Sequence, residues 1–341
     1  MDLQDIFNAE FNLAFHQPKS DTCKKCDMFA VQKGLPSADR DKIEEDWNLQ
    51  LHGAEETRAK LNADKDRARS DAVLMFTFDL QKTNPLPYLI TNEAYYKRQL
   101  SVYNCGIHEC GSDIGYFHMW HGAKASRGPA EIASCIWQWL NEKNDEDKLK
   151  KEVVAYSDSC GGQNRNIVIA TLWMSAVQEW DLASVDHIFM VSGHSFLPCN
   201  YDFGVYEKEK RKNEQVYSFS EWVDVAKRAR KKGSTFEVQE MSAASFLNFK
   251  ELKSNIVNRK TDSDGGKVQW LNIRWLRFTK KEPYKMMFKY SVSDDEAFKG
   301  VNLKKRGKGR LKLIRSLSVL YPNGRPISKA KYTDIQSLLK Y

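Results

Sequence analysis

The chain has 341 residues, of which 41% are hydrophobic and 12% aromatic, with nine Trp. That length and apolar content suit two or three domains with at least one sizeable core and exclude a wholly disordered chain. The formal net charge is +8, and no apolar run approaches the roughly 18 residues of a membrane span, so a membrane partner is not expected.

Residues 1–71 read as a helical region with a knuckle in its first half. The opening stretch "MDLQDIFNAEFNLAFHQPK" is acidic and amphipathic, unlike a signal peptide. An intracellular soluble chain without a disulfide framework is therefore expected, and the seven cysteines read as buried thiols or metal ligands. Cys23 and Cys26 have the C-x-x-C spacing at which one turn presents two thiolates to a tetrahedral ion. His16 upstream and His52, on a long charged helix over 37–72 capped by Ser37 or Asp39, complete a structural Zn2+ site of two cysteines and two histidines.

From residue 72 the pattern turns to strands. "AVLMFTFDLQ" (72–81) is β-rich and stopped by Pro85 and Pro87. "KRQLSVYNCGIH" (97–108) and "IGYFHMWHG" (114–122) are two more strands around the turn "ECGSD". A helix over 127–143 follows, then a buried strand (152–158), a helix (164–180), a buried strand (186–194) and a helix from Phe203. Three antiparallel strands followed by strand–helix units give an α/β fold: a ribonuclease-H-like mixed sheet flanked by helices, over 72–232. Residues 233–341 alternate again and read as a small, separate, β-rich unit with a closing helix.

Four sets of residues could carry chemistry. Asp79 and Asp158 close strands that are neighbours in such a sheet, so their carboxylates would face each other at one rim. Acids so placed hold two Mg2+ or Mn2+ ions for phosphodiester cleavage. The third acid would be Asp202 or Glu207, with His194 orienting a water or phosphate. The second set is the loop Cys160, Gly161, Gly162, Gln163 and Asn164. Cys160 there is also a candidate nucleophile with His194 as base, which would make the chain a cysteine hydrolase. The third, Cys105, His108, Cys110, His118 and His121, lies on neighbouring strands, where period-2 alternation scatters it over both faces. The fourth is basic: residues 299–315 carry Lys304, Lys305, Arg306, Lys308 and Arg310 among eight cations and no acid. Such density suits a polyanion such as DNA.

"YSDSCGGQNRN" (156–166) resembles the D-x-C-G-G-Q-N-[KR]-N motif of an uncharacterised transposase-like domain family spread through insect, cnidarian and other animal genomes. "EFNLAFHQPKSDTCKKCD", "MFTFDLQK", "ASRGPAEIASC", "VSGHSFLPCNYDFGVYEK" and "KYTDIQSLLKY" are similar to further blocks of that family. The resemblance implies a ribonuclease-H-like core descended from a mobile element, a zinc knuckle before it, DNA as partner and a nuclear location. By position, Asp79 and Asp158 match the two strand-end acids. Two departures stand out: Trp120-His121-Gly122 where the family has W-x-E, and Asn200 where it has an acid, with Asp202 retained nearby. An amide does not supply an anionic ligand, so the expected alternatives are a two-metal strand-cleaving enzyme and an inactive DNA-binding relic. The chain opens inside the family's entry block, as a piece of a longer parent would. Its oligomeric state stays open, a dimer included.

Overall fold

The computed structural model describes residues 23–32, 40–257 and 260–341. They fall into two compact units divided between Leu51 and His52.

The first unit contains α1 (Lys24–Gln32) and the opening turns of α2 (Arg40–Arg69). Phe29 stacks on Trp47 with ring centroids 4.2 Å apart, and Gln50 Nε2 donates to Cys23 Sγ at 3.0 Å. The Phe29–Trp47 stack and the Gln50–Cys23 contact both tie α1 to α2. Ser37 and Asp39, the expected caps of α2, lie outside the described residues, as does His16.

The second unit is built on one mixed sheet. In chain order its first strands are β1 (Leu74–Leu80), β2 (Asn84–Leu86) and β3 (Tyr88–Leu89). After α3 (Asn92–Tyr96) come β4 (Leu100–Glu109), β5 (Ile114–His121), α4 (Pro129–Asp145), β6 (Glu152–Ser157) and α5 (Ile167–Glu179). Then follow β7 (Ser184–Phe189), α6 (Pro198–Lys210), β8 (Gln215–Val216), α7 (Phe219–Ala229) and β9 (Glu237–Glu240). The last elements are β10 (Trp275–Thr279), β11 (Lys285–Lys289), β12 (Lys299–Asn302) and α8 (Lys329–Leu338).

Ten strands form the main sheet, in the order β12-β11-β10-β7-β6-β1-β4-β5-β9 with β2 beside β4. β1 runs antiparallel to β4 and parallel to β6, which is parallel to β7. The strand–helix alternation expected between 72 and 212 is present. Along β1, Phe76 and Phe78 enter a core with Trp139 of α4 and Trp173 of α5. Met75 enters the opposite layer with Leu61 and Ala68 of α2 and Cys199 of α6. Each large side chain so buried contributes roughly 1.5–3 kcal/mol relative to exposure, which is why the central strands read as continuous apolar runs.

Three boundaries differ from expectation. The second half of α2 belongs to the sheet-bearing unit, so the division falls at 51/52 rather than at 71/72. Residues 233–341 are not separate: β9 adds to β5 at one edge, and β10, β11 and β12 extend the sheet beyond β7 at the other. Phe246, Phe249 and Leu252 share the core under α4 and α5. Strand patterning names a buried face but no hydrogen-bonding partner, and the open edges of β5 and β7 take these strands. Finally, α6 starts at Pro198 rather than at Phe203, with proline in the first turn and Leu197 N–H donating to Asn200 Oδ1 at 3.1 Å. No helix among the described residues is long and apolar enough to cross a membrane.

Candidate functional site

The last β1–β6 pair is Thr77 with Tyr156. Asp79 and Asp158 both lie two residues further on, so they sit side by side at the same rim, on the same face, about one strand spacing (~5 Å) apart. The β1 residues on this face lie under α6, whose Cys199 N–H donates to Thr77 Oγ1 at 3.1 Å. Gly106, opposite Asp79 on β4, allows the approach: a Cβ there would lie 2.4 Å from the Phe203 ring. Asn200 is thereby carried to the acid pair, and its Nδ2 donates to Asp79 Oδ2 at 2.8 Å.

The two carboxylates have different surroundings. Asp79 accepts from Leu80 N–H at 2.8 Å and from Asn200. Burial and the neighbouring Asp158 charge still push its pKa up to about 6. Asp158 Oδ1 accepts from Asn164 Nδ2 at 2.5 Å and from Cys160 N–H at 3.1 Å. The Gly161–Asn164 turn is closed by N–H groups of Gln163, Asn164 and Arg165 on Cys160 O. Asn166 then caps α5, accepting from Val168 and Ile169. The loop motif is therefore a scaffold that fixes Asp158.

Behind Asp158 lies a chain that sequence reading missed. Trp173 Nε1 donates to His187 Nδ1 at 3.1 Å. An indole only donates, so Nδ1 accepts and the ring proton is on Nε2. Nε2 then donates to Ser157 Oγ at 2.9 Å, and Ser157 Oγ donates to Asp158 O at 2.8 Å. His187 is fully buried and its pKa falls to about 3, so it stays neutral and works as a brace. The signal was a histidine inside the apolar run "DHIFMV".

The other expected members lie elsewhere. Asp202 is 2% exposed and its Oδ2 bonds His108 Nδ1 at 2.7 Å; the oxygens of Asp79, Asp158 and Asp202 do not gather within 4.8 Å of one another. Glu207 accepts from Gln81 Nε2 at 2.9 Å and pairs with Lys210 at 3.3 Å. His194 closes a turn through its N–H on Val191 O, and the Cys160 thiol is exposed. Of the cysteine–histidine set on β4 and β5, Cys105 enters the α4 core while Cys110 enters the opposite layer. His118 is buried and its pKa falls to about 4, and His121 is lowered by burial and Lys124.

Lys304, Lys305, Arg306, Lys308 and Arg310 are all exposed. They follow β12, whose Asn302 pairs with Lys285, level through β10 and β7 with Ser184 and Glu152. That is the rim opposite to the acid pair, separated from it by the length of β6, roughly 20 Å. Nearer to the carboxylates is Arg165, whose charge interacts with Asp158.

In the first unit, the Cys23 thiol lies below its ordinary value. Burial pushes it up, but the backbone amides of Cys26 and Lys25 and the Cys26 and Gln50 side chains outweigh that effect. Burial pushes Cys26 up. The deprotonated form of a cysteine is the state a metal ligand requires. His52 is on the exposed side of α2, 3.5 Å from Glu56.

No protein-family model matches the chain, and no curated protein matches it.

Proposed function

We propose that the chain is a ribonuclease-H-like, transposase-derived protein that binds DNA and has lost the carboxylate set for cutting it. The observation that carries this reading is the pairing of Asp79 with Asn200. Sheet order β5-β4-β1-β6-β7, with carboxylates ending β1 and β6, supports the ribonuclease-H-like assignment. The exposed cations at 304–310 support DNA as partner, and DNA in turn supports a nuclear location.

Two hard cations need several anionic oxygens between them. Asn200 turns a donor, not an oxygen, towards Asp79, because its Oδ1 is taken by Leu197 N–H. Asp202 is sequestered by His108. The residues present therefore do not fit a pair of Mg2+ or Mn2+ ions. Arg165, Arg274 and the 304–310 segment do fit the phosphate backbone of a nucleic acid.

Fluorescence anisotropy with duplex DNA over a salt series, beside supercoiled-plasmid nicking in Mg2+ or Mn2+, tests this reading. Affinity should fall steeply with salt, and neutralising Lys304, Lys305, Arg306, Lys308 and Arg310 should flatten the log–log slope by about 0.9 per lost phosphate contact. Salt-insensitive binding would overturn the DNA reading. Nicking that disappears in Asp158→Asn would overturn the loss of cleavage.

A further inference from the structure

Arg165 ends the Asp158 loop, just before the Asn166 cap of α5, and is only 9% exposed. Its Nη1 donates to Ile273 O at 3.1 Å, its guanidinium lies 5.8 Å from the Phe189 ring centroid, and its Nε is buried without an acceptor. Arg274, next to Ile273, is half-buried, and its Nη1 donates to Met190 O at 3.2 Å. Among the described residues, neither guanidinium meets a carboxylate within ion-pair distance. Elsewhere in the same sheet a buried charge is answered at once: Asp186 receives Arg277 Nε at 2.7 Å and Trp275 Nε1 at 2.6 Å.

Burial and the Arg274 charge hold Arg165 below its ordinary pKa, with Asp158 and Cys160 acting in the other direction. Burial lowers Arg274 as well. Two like charges withdrawn from water are unfavourable unless an anion joins them, and backbone carbonyls supply only partial charge. Asp158 acts on Arg165 only across space and forms no ion pair with it, while its Oδ1 takes Asn164 and the Cys160 amide. Phe189 N–H donates to Arg274 O at 2.8 Å, and Phe189 pairs with Ser157. Arg274 therefore lies on the same rim as Asp158, about two strand spacings (~10 Å) along it. In the loop after Asp158, a Cβ at Gly162 would meet nothing within 4 Å, so a ligand can approach the loop closely.

We propose that Arg165 and Arg274 form a phosphate site, one that takes a phosphodiester of a nucleic-acid strand lying along the rim next to Asp158. A guanidinium fork matches the paired non-bridging oxygens of a phosphodiester, and two forks share one group. The nucleic-acid source rests on the function proposed above; the phosphate chemistry does not.

The test uses the full chain, with thermal unfolding in inorganic phosphate against chloride at matched ionic strength, and anisotropy with duplex DNA. The variants are Arg274→Gln, at the half-buried position, and Arg165→Lys, which keeps charge but loses the fork. For the unmutated chain, phosphate should raise Tm by several degrees. That rise should vanish in Arg274→Gln, and Arg165→Lys should halve it or more. DNA affinity at low salt should fall about tenfold in Arg274→Gln, with the salt slope reduced by about one contact. Phosphate stabilisation without DNA binding would support the site, assign it to free phosphate and sink the nucleic-acid reading. DNA binding that needs residues 304–310 but ignores Arg274→Gln, with no phosphate effect on Tm, would overturn the site and leave that reading standing.

Discussion

Asn200 Nδ2 donates to Asp79 Oδ2 at 2.8 Å, so a neutral amide stands against the carboxylate that burial and Asp158 already crowd. Replacing it by aspartate adds a third negative charge and removes the donor. Without metal, Asn200→Asp should lose about 1–3 kcal/mol of stability. Millimolar Mg2+ should restore most of that loss and do little for the unmutated chain. If the amide is what prevents cleavage, the variant should also gain Mg2+-dependent plasmid nicking. An unchanged Tm in both conditions would show that residue 200 does not govern the pair.

Asp79 carries a pH signature. Its folded pKa is about 6 against an ordinary 3.8, so the native state holds the proton more tightly than the unfolded chain. The destabilisation is absent below the unfolded value, grows as pH rises from about 4 to 6, and is complete above that. A shift of about two units corresponds to about 3 kcal/mol at most. Asp79→Asn should therefore raise Tm at pH 7.5 and leave it nearly unchanged at pH 4. An equal effect at both values would mean that like-charge crowding is not the cause.

Asp202 should behave as a structural residue. Its Oδ2 bonds His108 Nδ1, and a Cβ at Gly115 would lie 2.7 Å from that same oxygen. Asp202→Ala leaves the His108 ring nitrogen unpaired in a buried site, which costs about 1–3 kcal/mol. Chemical denaturation should show the loss, while DNA affinity of the folded variant stays within twofold. A selective loss of metal or DNA binding at full stability would return Asp202 to the acid set.

For the Cys23–Cys26 pair the expectation is about one zinc ion per chain by elemental analysis, abolished in Cys23→Ser. Trp47, stacked on Phe29 at 4.2 Å, reports the state of this unit. Stripping zinc with a chelator should change its fluorescence. Alanine variants of the two expected histidine ligands, His16 and His52, test their part by the zinc content that remains. A metal-free chain with unchanged Trp47 emission would remove the knuckle.

The central strands were legible because β1, β6 and β7 are apolar runs cut off by turn residues, and Asp79 and Asp158 stand at the ends of β1 and β6. The fate of Asp202 was not, because it depends on where α6 begins. Once the helix starts at Pro198, Cys199, Asp202, Phe203 and Tyr206 form its buried stripe, the i, i+3, i+4, i+7 pattern. Asn200 is left on the flank beside Asp79. Reading "FLPCNYD" as loop hid that phase. Arg165 was invisible for another reason: a loop arginine is ordinarily exposed, and only the return of residues 273–274 to the β7 edge buries it. Likewise, nothing local in residues 304–310 indicates the opposite rim; the antiparallel path through β10, β11 and β12 decides it.

That path also matters while the chain is being made. The parallel core is encoded by residue 189, yet its flanking strand β9 ends at 240 and β12 at 302. A nascent chain leaving the ribosome therefore carries an open β5 edge until β9 is made, roughly 50 residues later, and an open β7 edge until β10 is made, roughly 90 residues later, several seconds of elongation. A message truncated before β10 would release a product whose β7 edge is apolar and unpaired, a template for aggregation rather than a smaller working protein.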